Sequence, residues 1–366
     1  MDLVGEALEV DYRGAELTVE NFLRVLTGRH RAGTPLSKRL LSDSRSNVLL
    51  YVTGHGGDEF MTWELLAVFL GSSLRLAVPI MLGMVGELVS ERAGVLNMSL
   101  EGMMLTGAFA AALGAWGTGS PEIGLLCALL AVLPVSLLQA FLSNTLRANQ
   151  IVTGLGINIL VLGATTLAYR EIFGARSREA IPGFDKWSPP LLGDIPAFGD
   201  SLFTQVWLVY LAIALVLATG WVLRHTALGI AIKAAGEDPR ALDKSGISVL
   251  VIRYGVVLFA GTTSALAGAF LSIGDIHTFT EGMTNGIGYL AIAAVIFGNW
   301  RMGRAVFACL LFGGATALQF QLPTLGVDVP NAFLIMLPYL LAFLAVAGIT
   351  GRQTSPTVLT VPYRRR

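Results

Sequence analysis

The run LLAVFLGSSLRLAVPIMLGMV, residues 65 to 85, is apolar along almost its whole length and contains a single charged residue, Arg75. A helix of about 20 such residues can cross the ~30 Å hydrocarbon core of a bilayer. Eight more apolar runs follow, at 95–116, 123–142, 151–168, 203–223, 254–273, 286–297, 305–318 and 332–349. The sequence therefore predicts an all-α polytopic membrane protein with about eight or nine transmembrane helices. The runs 286–297 and 305–318 are too short for a full span and predict tilted or partly re-entrant helices.

The composition of the whole chain also indicates a location in the cell membrane. Hydrophobic residues make up 54% of the chain and charged residues only 14%, and the mean hydropathy is +0.67. These values are unlike those of an ordinary soluble domain and make the lipid bilayer the expected partner. The formal net charge is zero, and no basic stripe suggests a nucleic-acid partner. Cys127 and Cys309 lie in separate apolar runs, which indicates neither a disulfide nor a metal site.

The loops between the apolar runs predict an orientation, because Lys and Arg near span ends tend to stay in the cytoplasm. Basic residues concentrate in the loop 224–253, the turn 300–304 and the tail 351–366. The loops 274–285 and 321–331 carry acidic residues and no Lys or Arg. We therefore expect the first three segments to be cytoplasmic and the other two to face outward.

Polar residues gather at the start of one predicted span, in SERAGVLNMSLEGMMLTGAF (90–109). Asn97, Ser99 and Glu101 are costly at membrane depth unless they have partners or face a cavity. One interpretation is that they line a translocation path or a broken helix beside it. The other is that Asn97 and Ser99 cap the helix, while Glu101 favours its positive end or pairs with Arg92. The sequence leaves both open.

Small and polar residues recur one helical turn apart, as at Gly154 and Asn158 and at Ser264 and Gly268. Such pairs let helix backbones approach closely in lipid, so plain helix packing is one explanation. A position on the translocation path is the other, and it makes Asn158 a candidate for that path. Asn285 is a further candidate, because it is a polar residue at membrane depth.

The loop TALGIAIKAAGEDPRALDKSGISV (226–249) carries the signals of a short helix. Asp238 is a good N-cap, Pro239 suits the first helical position and Gly246 suits the residue just past the end. These signals predict a helix over residues 239–245 at the inner face of the membrane. It is either an ordinary loop helix or an element that transmits force from a bound partner.

Four segments resemble one family of membrane proteins. They are GELVSERAGVLNMSLEGMMLTGAFAA (86–111), ANQIVTGLGINIL (148–160), AIKAAGEDPRALDKSGI (231–247) and EGMTNGIGYLAIAAVIFGNW (281–300). In this order they are similar to the permease subunits of ABC importers, in the branch that moves ribose-type sugars, branched-chain amino acids and nucleosides. The resemblance covers about residues 63–350 and is nearest to nucleoside or simple-sugar permeases.

This resemblance implies partners for the chain. It implies ABC ATPase subunits, a second permease subunit and an extracytoplasmic substrate-binding protein. It also implies that residues 234–247 dock on the ATPase, with the candidate residues Ala235, Gly236, Glu237, Asp238, Pro239, Leu242 and Gly246. The chain contains no phosphate-binding GxxxxGK[ST] motif, so we expect ATP to be bound by a partner and this chain to hold no cofactor or metal.

Residues 1–62 differ from the rest, with seven of the 25 Lys and Arg residues and no span-length apolar run. The segment 10–60 resembles the catalytic subunit of GPI-anchor transamidase, a caspase-like relative of legumain. It includes NVLLYVTGHGG (47–57), which predicts a strand followed by a glycine turn. The resemblance implies that His55 matches the general base of a His–Cys dyad.

The dyad cysteine is missing, because the first apolar run begins where the next core strand of that fold would be. Residues 1–62 are therefore predicted to be a truncated, inert, α/β-like fragment that does not fold independently. Residues 63–350 form the predicted permease domain and 351–366 a basic cytoplasmic tail. Two alternatives are a membrane-tethered transamidase relative, which needs the absent cysteine, and an ion-coupled secondary transporter, which needs buried charged pairs at mid-membrane.

Overall fold

The computed structural model describes residues 62–174, 180–190, 193, 195, 198–324, 330–344 and 355–364. All of them belong to one unit, Phe60–Arg366. The predicted transamidase-like strand and His55 lie outside the described residues. The inactivity of that segment therefore stays a prediction.

The described residues are almost entirely helical. The helices are α1 (Thr62–Arg92), α2 (Leu100–Thr118), α3 (Pro121–Ala140), α4 (Gln150–Ile172), α5 (Trp207–His225), α6 (Ala227–Glu237), α7 (Pro239–Lys244), α8 (Val249–Ala269), α9 (Ile287–Phe297), α10 (Met302–Thr324) and α11 (Asn331–Leu344). Two of them continue as π-helical segments, α3 through Phe141–Thr145 and α8 through Phe270–Ile276. Another π-helical segment, Gly199–Phe203, precedes a two-stranded antiparallel sheet in which β1 (Lys186–Trp187) pairs with β2 (Gln205–Val206).

Each of the nine predicted apolar runs overlaps one α-helix, although residues 345–349 of the last run lie outside the described residues. The prediction of a polytopic helical membrane protein is confirmed. Six helical segments are long and apolar enough to cross a bilayer: Leu65–Arg92, Pro121–Thr145, Gln150–Ile172, Trp207–His225, Val249–Ile276 and Met302–Pro323. The two shorter apolar helices are Ile287–Phe297 and Ala332–Leu344. The ninth apolar run belongs to α2, which has 19 residues.

The two runs predicted to be short have different outcomes. Helix α9 has 11 residues, which at 1.5 Å per residue span only ~16 Å. It therefore covers about half of a ~30 Å hydrocarbon core, as predicted. The prediction for residues 305–318 is wrong, because they lie within the 23-residue helix α10. Polar residues such as Arg304 and Gln319 end the apolar run without ending the helix.

Close packing of helices depends on small residues, as their spacing predicts. A Cβ atom added to Gly268 of α8 would lie 1.9 Å from the carbonyl oxygen of Met104 in α2. A Cβ atom on Gly154 of α4 would lie 2.5 Å from the Cβ of Met98. Both glycines therefore sit where two backbones touch. Ser264 bonds within its own helix, donating to Ala260 O at 2.6 Å.

One end of the bundle, here called the inner end, collects the three segments predicted to be cytoplasmic. Arg92, the last residue of α1, donates to the carbonyl oxygen of Trp300 at 2.6 Å. In the tail, Val358 N donates to the carbonyl oxygen of Gly236 at 3.0 Å. The three segments thus share one end, as predicted, and the assignment of that end to the cytoplasm stays a prediction.

The opposite end, here called the outer end, holds two ion pairs. Arg75 Nε lies 3.4 Å from Asp275 Oδ1, and Arg170 Nε lies 2.8 Å from Glu281 Oε1. The hydrogen bonds from Arg170 hold the pKa of the Glu281 carboxyl below its ordinary value. Glu281 and Asp275 belong to the loop 274–285, which lies at the end opposite the basic segments, as predicted.

Candidate transport site

Helix α9 begins inside the bundle instead of at its surface. Glu281 contacts Arg170 at the outer end, whereas Trp300 contacts Arg92 at the inner end. The chain between them holds the single short helix α9, so residues 277–286 reach from the outer end into the bundle before the helix starts. Irregular backbone at such depth needs protein partners for its polar groups.

Glu101, near the start of α2, supplies those partners. Its Oε1 accepts hydrogen bonds from Thr284 Oγ1 at 2.6 Å and from Gly286 N at 2.8 Å. Its Oε2 accepts one from Gly288 N at 2.7 Å. The first N–H groups of a helix have no partner within it and carry positive partial charge, so a carboxylate there is favourable. Glu101 therefore caps α9, whose N-cap residue Gly286 lies 185 positions further along the chain.

Two glycines allow the carboxylate of Glu101 to come this close. Gly286, the N-cap of α9, has φ +85°, a left-handed conformation in which other residues are strained. A Cβ atom added to Gly288 would lie 2.7 Å from both the Cα and the N of Glu101. The starts of α2 and α9 therefore touch through backbone atoms.

Asn158 joins α4 to the same junction. Its Oδ1 accepts from Gly102 N at 2.8 Å. Its Nδ2 donates to Met98 O at 2.8 Å and to the Tyr289 hydroxyl at 2.9 Å. The amide therefore makes three hydrogen bonds that fix the start of α2 against α4 and α9.

Asn97 and Ser99 lie at the break between α1 and α2 and are both fully buried. Asn97 N donates to Glu87 Oε1 at 2.9 Å, and Ser99 Oγ donates to Asn97 Oδ1 at 2.6 Å. Ser99 occupies the N-cap position of α2 without a side-chain capping bond. These two residues hold the broken segment together. Arg92 donates to Trp300 O instead of to Glu101, so the alternative in which these two side chains pair is not found among the described residues.

A cleft of about 400 Å³ opens beside this junction. Of the five residues predicted for a path, it is lined by Glu101, Asn158 and Asn285, and Asn97 and Ser99 are not part of the lining. Thr284 and Tyr289 also line it, and the sequence interpretation missed both. Tyr289 lies in the apolar run 286–297, and its polar tip there was the available signal.

At the inner end, the predicted short helix is confirmed as α7, Pro239–Lys244. Asp238 Oδ1 accepts from Arg240 N and Ala241 N, both at 3.1 Å. Gly246, just past the helix, has φ +88°. The sequence interpretation missed α6, which precedes α7 in the segment treated as a loop. Thr226 is the N-cap of α6.

The candidate docking residues divide into a buried and an exposed set. Ala235, Gly236 and Leu242 are buried, Pro239 is half-buried, and Glu237, Asp238 and Gly246 are exposed. A Cβ atom on Gly236 would lie 2.2 Å from the carbonyl oxygen of Arg92. Gly236 therefore packs against the end of α1 and offers a partner no surface. Ile247, which is 43% exposed, joins the exposed set.

Within the described residues, no group of three His, Cys, Asp or Glu side chains is placed to hold a metal ion. Cys127 and Cys309 are both free thiols.

Three curated relatives align with most of the chain. The Guanosine ABC transporter permease protein NupQ of Bacillus subtilis is 37% identical, over 82% of this chain and 97% of its own length. The Putative glucose ABC transporter permease protein TsgC13 of Haloferax volcanii is 35% identical, over 73% and 81%. The Nucleoside ABC transporter permease protein NupC of Lactococcus lactis is 30% identical, over 81% and 97%. No solved structure matches the chain.

The N-terminal segment has separate relatives. The Peptidase C13 family matches residues 2–75. The Putative GPI-anchor transamidase of Caenorhabditis elegans is 65% identical over 63 residues, which is 20% of its length. The human GPI-anchor transamidase is 61% identical over 64 residues, 16% of its length. The chain thus spans a fifth or less of these two transamidases.

The remaining comparison concerns the helical bundle itself. The family described as the permease component of the branched-chain amino acid transport system matches residues 69–346, from the first span to the last. With three permease relatives at 30% identity or more, the chain belongs to this family of ABC transporter permeases and is a multi-pass membrane protein.

Proposed function

We propose that this chain is the membrane-spanning permease subunit of an ATP-driven importer for nucleosides or simple sugars. The observation that carries the proposal is the alignment with a permease named for guanosine along 97% of that protein's length. The other two relatives are named for nucleosides and for glucose. All three names refer to small polar solutes that contain a sugar ring.

The cleft beside the junction of α2, α4 and α9 supports this substrate class. Its volume of about 400 Å³ lies within the ~300–1,000 Å³ typical of small-molecule sites. The carboxylate of Glu101 and the amide of Asn158 are occupied by the bonds described above, so they shape the cleft. Asn285 and Tyr289 are exposed in it. An amide and a phenol ring can bind hydroxyl groups and stack on a base or sugar face.

A second permease subunit would close the cleft on its open side. Helix α4 lines the cleft and exposes large apolar side chains, with Val152 66% and Ile159 73% exposed. Such a face needs either lipid or a partner helix. We assign it to the second permease, because that places the cleft at the boundary of two subunits.

The energy for transport comes from a separate ATPase subunit that docks on the inner end. The chain lacks a phosphate-binding GxxxxGK[ST] loop. The exposed part of residues 237–247, which we call the docking segment, offers Glu237, Arg240 and Ile247 to a partner. The family match favours neither a transamidase nor an ion-coupled transporter.

The docking segment is tested by a charge placed on its exposed apolar residue. We expect Ile247→Asp to abolish co-purification of the ATPase and substrate-stimulated ATP hydrolysis in reconstituted membranes. Ile276→Asp is the matched control, because Ile276 is 52% exposed at the outer end and should retain the ATPase. Asp238→Ala removes the cap of α7, which costs about 1 kcal/mol, and should give a partial defect. Wild-type co-purification in Ile247→Asp would reject the docking segment.

The substrate is tested by competition. We expect unlabelled guanosine to inhibit uptake of labelled glucose, or unlabelled glucose to inhibit uptake of labelled guanosine, but not both. The compound that inhibits is the preferred solute. Asn285→Ala should weaken uptake without loss of the ATPase, because Asn285 lies in the cleft and far along the chain from the docking segment. Unchanged uptake affinity in Asn285→Ala would remove this cleft as the substrate site.

A further inference from the structure

The side chain of Arg253, one turn into α8 at the inner end, is buried with only 1% of its surface exposed. A buried guanidinium is costly unless its donors are satisfied. Its three hydrogen bonds all go to backbone carbonyl oxygens: Nε to Ala93 at 3.2 Å, Nη2 to Ala235 at 3.3 Å and Nη1 to Val361 at 3.0 Å. The cation therefore binds three segments of the chain at once.

Each of these segments has a role in the arrangement already described. Ala93 directly follows α1 and opens the break that leads to α2. Ala235 lies in the last turn of α6, immediately before the docking segment. Val361 belongs to the tail. Carbonyl oxygens at the ends of helices lack intrahelical partners and carry negative partial charge, so a cation placed at the ends of α1 and α6 is held electrostatically as well as by hydrogen bonds.

The tail reinforces the same connection. Val358 N donates to Gly236 O at 3.0 Å and Thr360 N donates to Gly94 O at 3.2 Å. Gly236 itself is packed against Arg92 O. The end of α6 and the break after α1 are thus bonded to each other through Arg253 and through the tail.

The break is also continuous with the cleft. Met98 O accepts a hydrogen bond from Asn158, and Glu101 begins to cap α9 three residues later. A displacement of Ala93 and Gly94 therefore reaches the start of α2, where the side chains that shape the cleft are anchored.

We propose that Arg253 is a positioning residue that couples the docking segment to the cleft, by fixing the end of α6 to the break between α1 and α2. The proposal rests on the proposed function, because the docking segment must bind an ATPase for such coupling to matter. Arg253 itself touches neither the ATPase nor the substrate.

The experiment uses the full-length chain, reconstituted with its ATPase and binding protein, and measures three quantities. They are ATPase co-purification, substrate uptake and the number of ATP molecules hydrolysed per substrate transported. Arg253→Met removes all three hydrogen bonds, and Arg253→Lys keeps the charge on one nitrogen, which cannot reach three separate carbonyls in the same geometry. Arg224→Met is the control, because Arg224 is exposed at the end of α5.

We expect Arg253→Met to keep the ATPase bound and to raise the ATP hydrolysed per substrate by about tenfold, within the usual range of coupling between distant sites. Arg253→Lys should show a smaller increase, and Arg224→Met should match the wild type. A purely structural role would instead lower the amount of folded protein and leave the ratio unchanged in the protein that folds.

A wild-type ratio in folded Arg253→Met would overturn the proposal. Where Arg253→Met fails to fold, Arg253→Lys decides, and a wild-type ratio in that variant overturns it equally. Absence of the ATPase from the wild-type preparation would reject the proposed function and this inference together. A coupled wild type with fully coupled Arg253 variants would reject the inference alone.

Discussion

Glu101 and the pair Glu87 and Glu91 are acidic groups in the same bundle, but their surroundings differ. Glu101 accepts three hydrogen bonds, two of them from the N–H groups of a helix start. Glu87 accepts one from Asn97 N at 2.9 Å, and Glu91 accepts one from Trp300 Nε1 at 2.5 Å. Glu101 thus has three donors for one carboxylate, whereas the pair has two donors for two carboxylates.

The oxygens that remain on the pair make the contrast sharper. Glu87 and Glu91 lie one helical turn apart on α1 and are fully buried. Glu87 Oε2 and Glu91 Oε1 have no donor among the described residues. Each of these two buried oxygens therefore lacks a hydrogen bond, whereas both oxygens of Glu101 receive at least one. The lesson is that the number of donors around a buried carboxylate, more than its burial, decides whether replacing it by an amide is harmful.

The largest effect is expected from Glu101→Ala. It leaves Thr284 and the N–H groups of Gly286 and Gly288 without their acceptor, and the free energy of unfolding should fall by about 3 kcal/mol or more. The measurement is the apparent Tm in detergent. Unfolding is detected by the reaction of a thiol-specific dye with the buried Cys309, in a background in which Cys127 is replaced by Ala.

The control for Glu101→Ala is Glu171→Ala, since Glu171 is exposed on α4 and should leave the Tm unchanged. An equal Tm in the two variants would show that Glu101 does not hold the start of α9.

A smaller effect is expected from Asn158→Ala, which removes three hydrogen bonds but no charge. We expect the free energy of unfolding to fall by about 2 kcal/mol, with uptake reduced because the start of α2 is no longer fixed. Thr153→Ala on the same helix removes only local bonds to Asn149 O and Gln150 O and is the control. If both variants behave alike in the Tm assay, Asn158 is a surface residue of the cleft and not part of the junction.

The smallest effect is expected from Glu87→Gln. Its amide oxygen can still accept from Asn97 N, and its amide nitrogen takes the place of an oxygen that has no donor, so the change breaks no described hydrogen bond. The free energy of unfolding should stay within about 1 kcal/mol of the wild type. Glu101→Gln should lose more free energy of unfolding. Its amide nitrogen replaces one of the two oxygens that now accept from Gly286 N and Gly288 N, and a nitrogen donor cannot accept from another N–H. A greater loss of Tm in Glu87→Gln than in Glu101→Gln would reverse the comparison.

Local signals in the sequence predicted the parts of the fold that depend on neighbouring residues. Asp238, Pro239 and Gly246 lie within nine positions of one another, and they predicted α7 to within one residue. The apolar runs predicted the helices for the same reason, since the length of a span and its polarity are properties of one continuous segment.

The contacts that make the site are distant in the chain, and residue type alone could not predict them. Glu101 was expected to act near its own helix, whereas its partners lie about 185 positions away. Arg253 was placed at the edge of a basic cytoplasmic loop, and the structure buries it within α8. An Arg at a span boundary is usually a topology signal, so its burial against three carbonyls becomes visible only once the segments are assembled.

The half-length helix α9 changes the electrical profile of the bundle. Because α9 spans only ~16 Å, irregular backbone with Thr284 and Asn285 lies beyond its capped start, beside the cleft. Water that enters the cleft is far more polarisable than the packed interior, so a transmembrane voltage would fall mainly across the remaining depth, at the level of α9. The energy of about 2.3 kcal/mol for moving one elementary charge through ~100 mV would then be concentrated over a shorter distance, and a charged solute in the cleft would meet most of it in the step past α9.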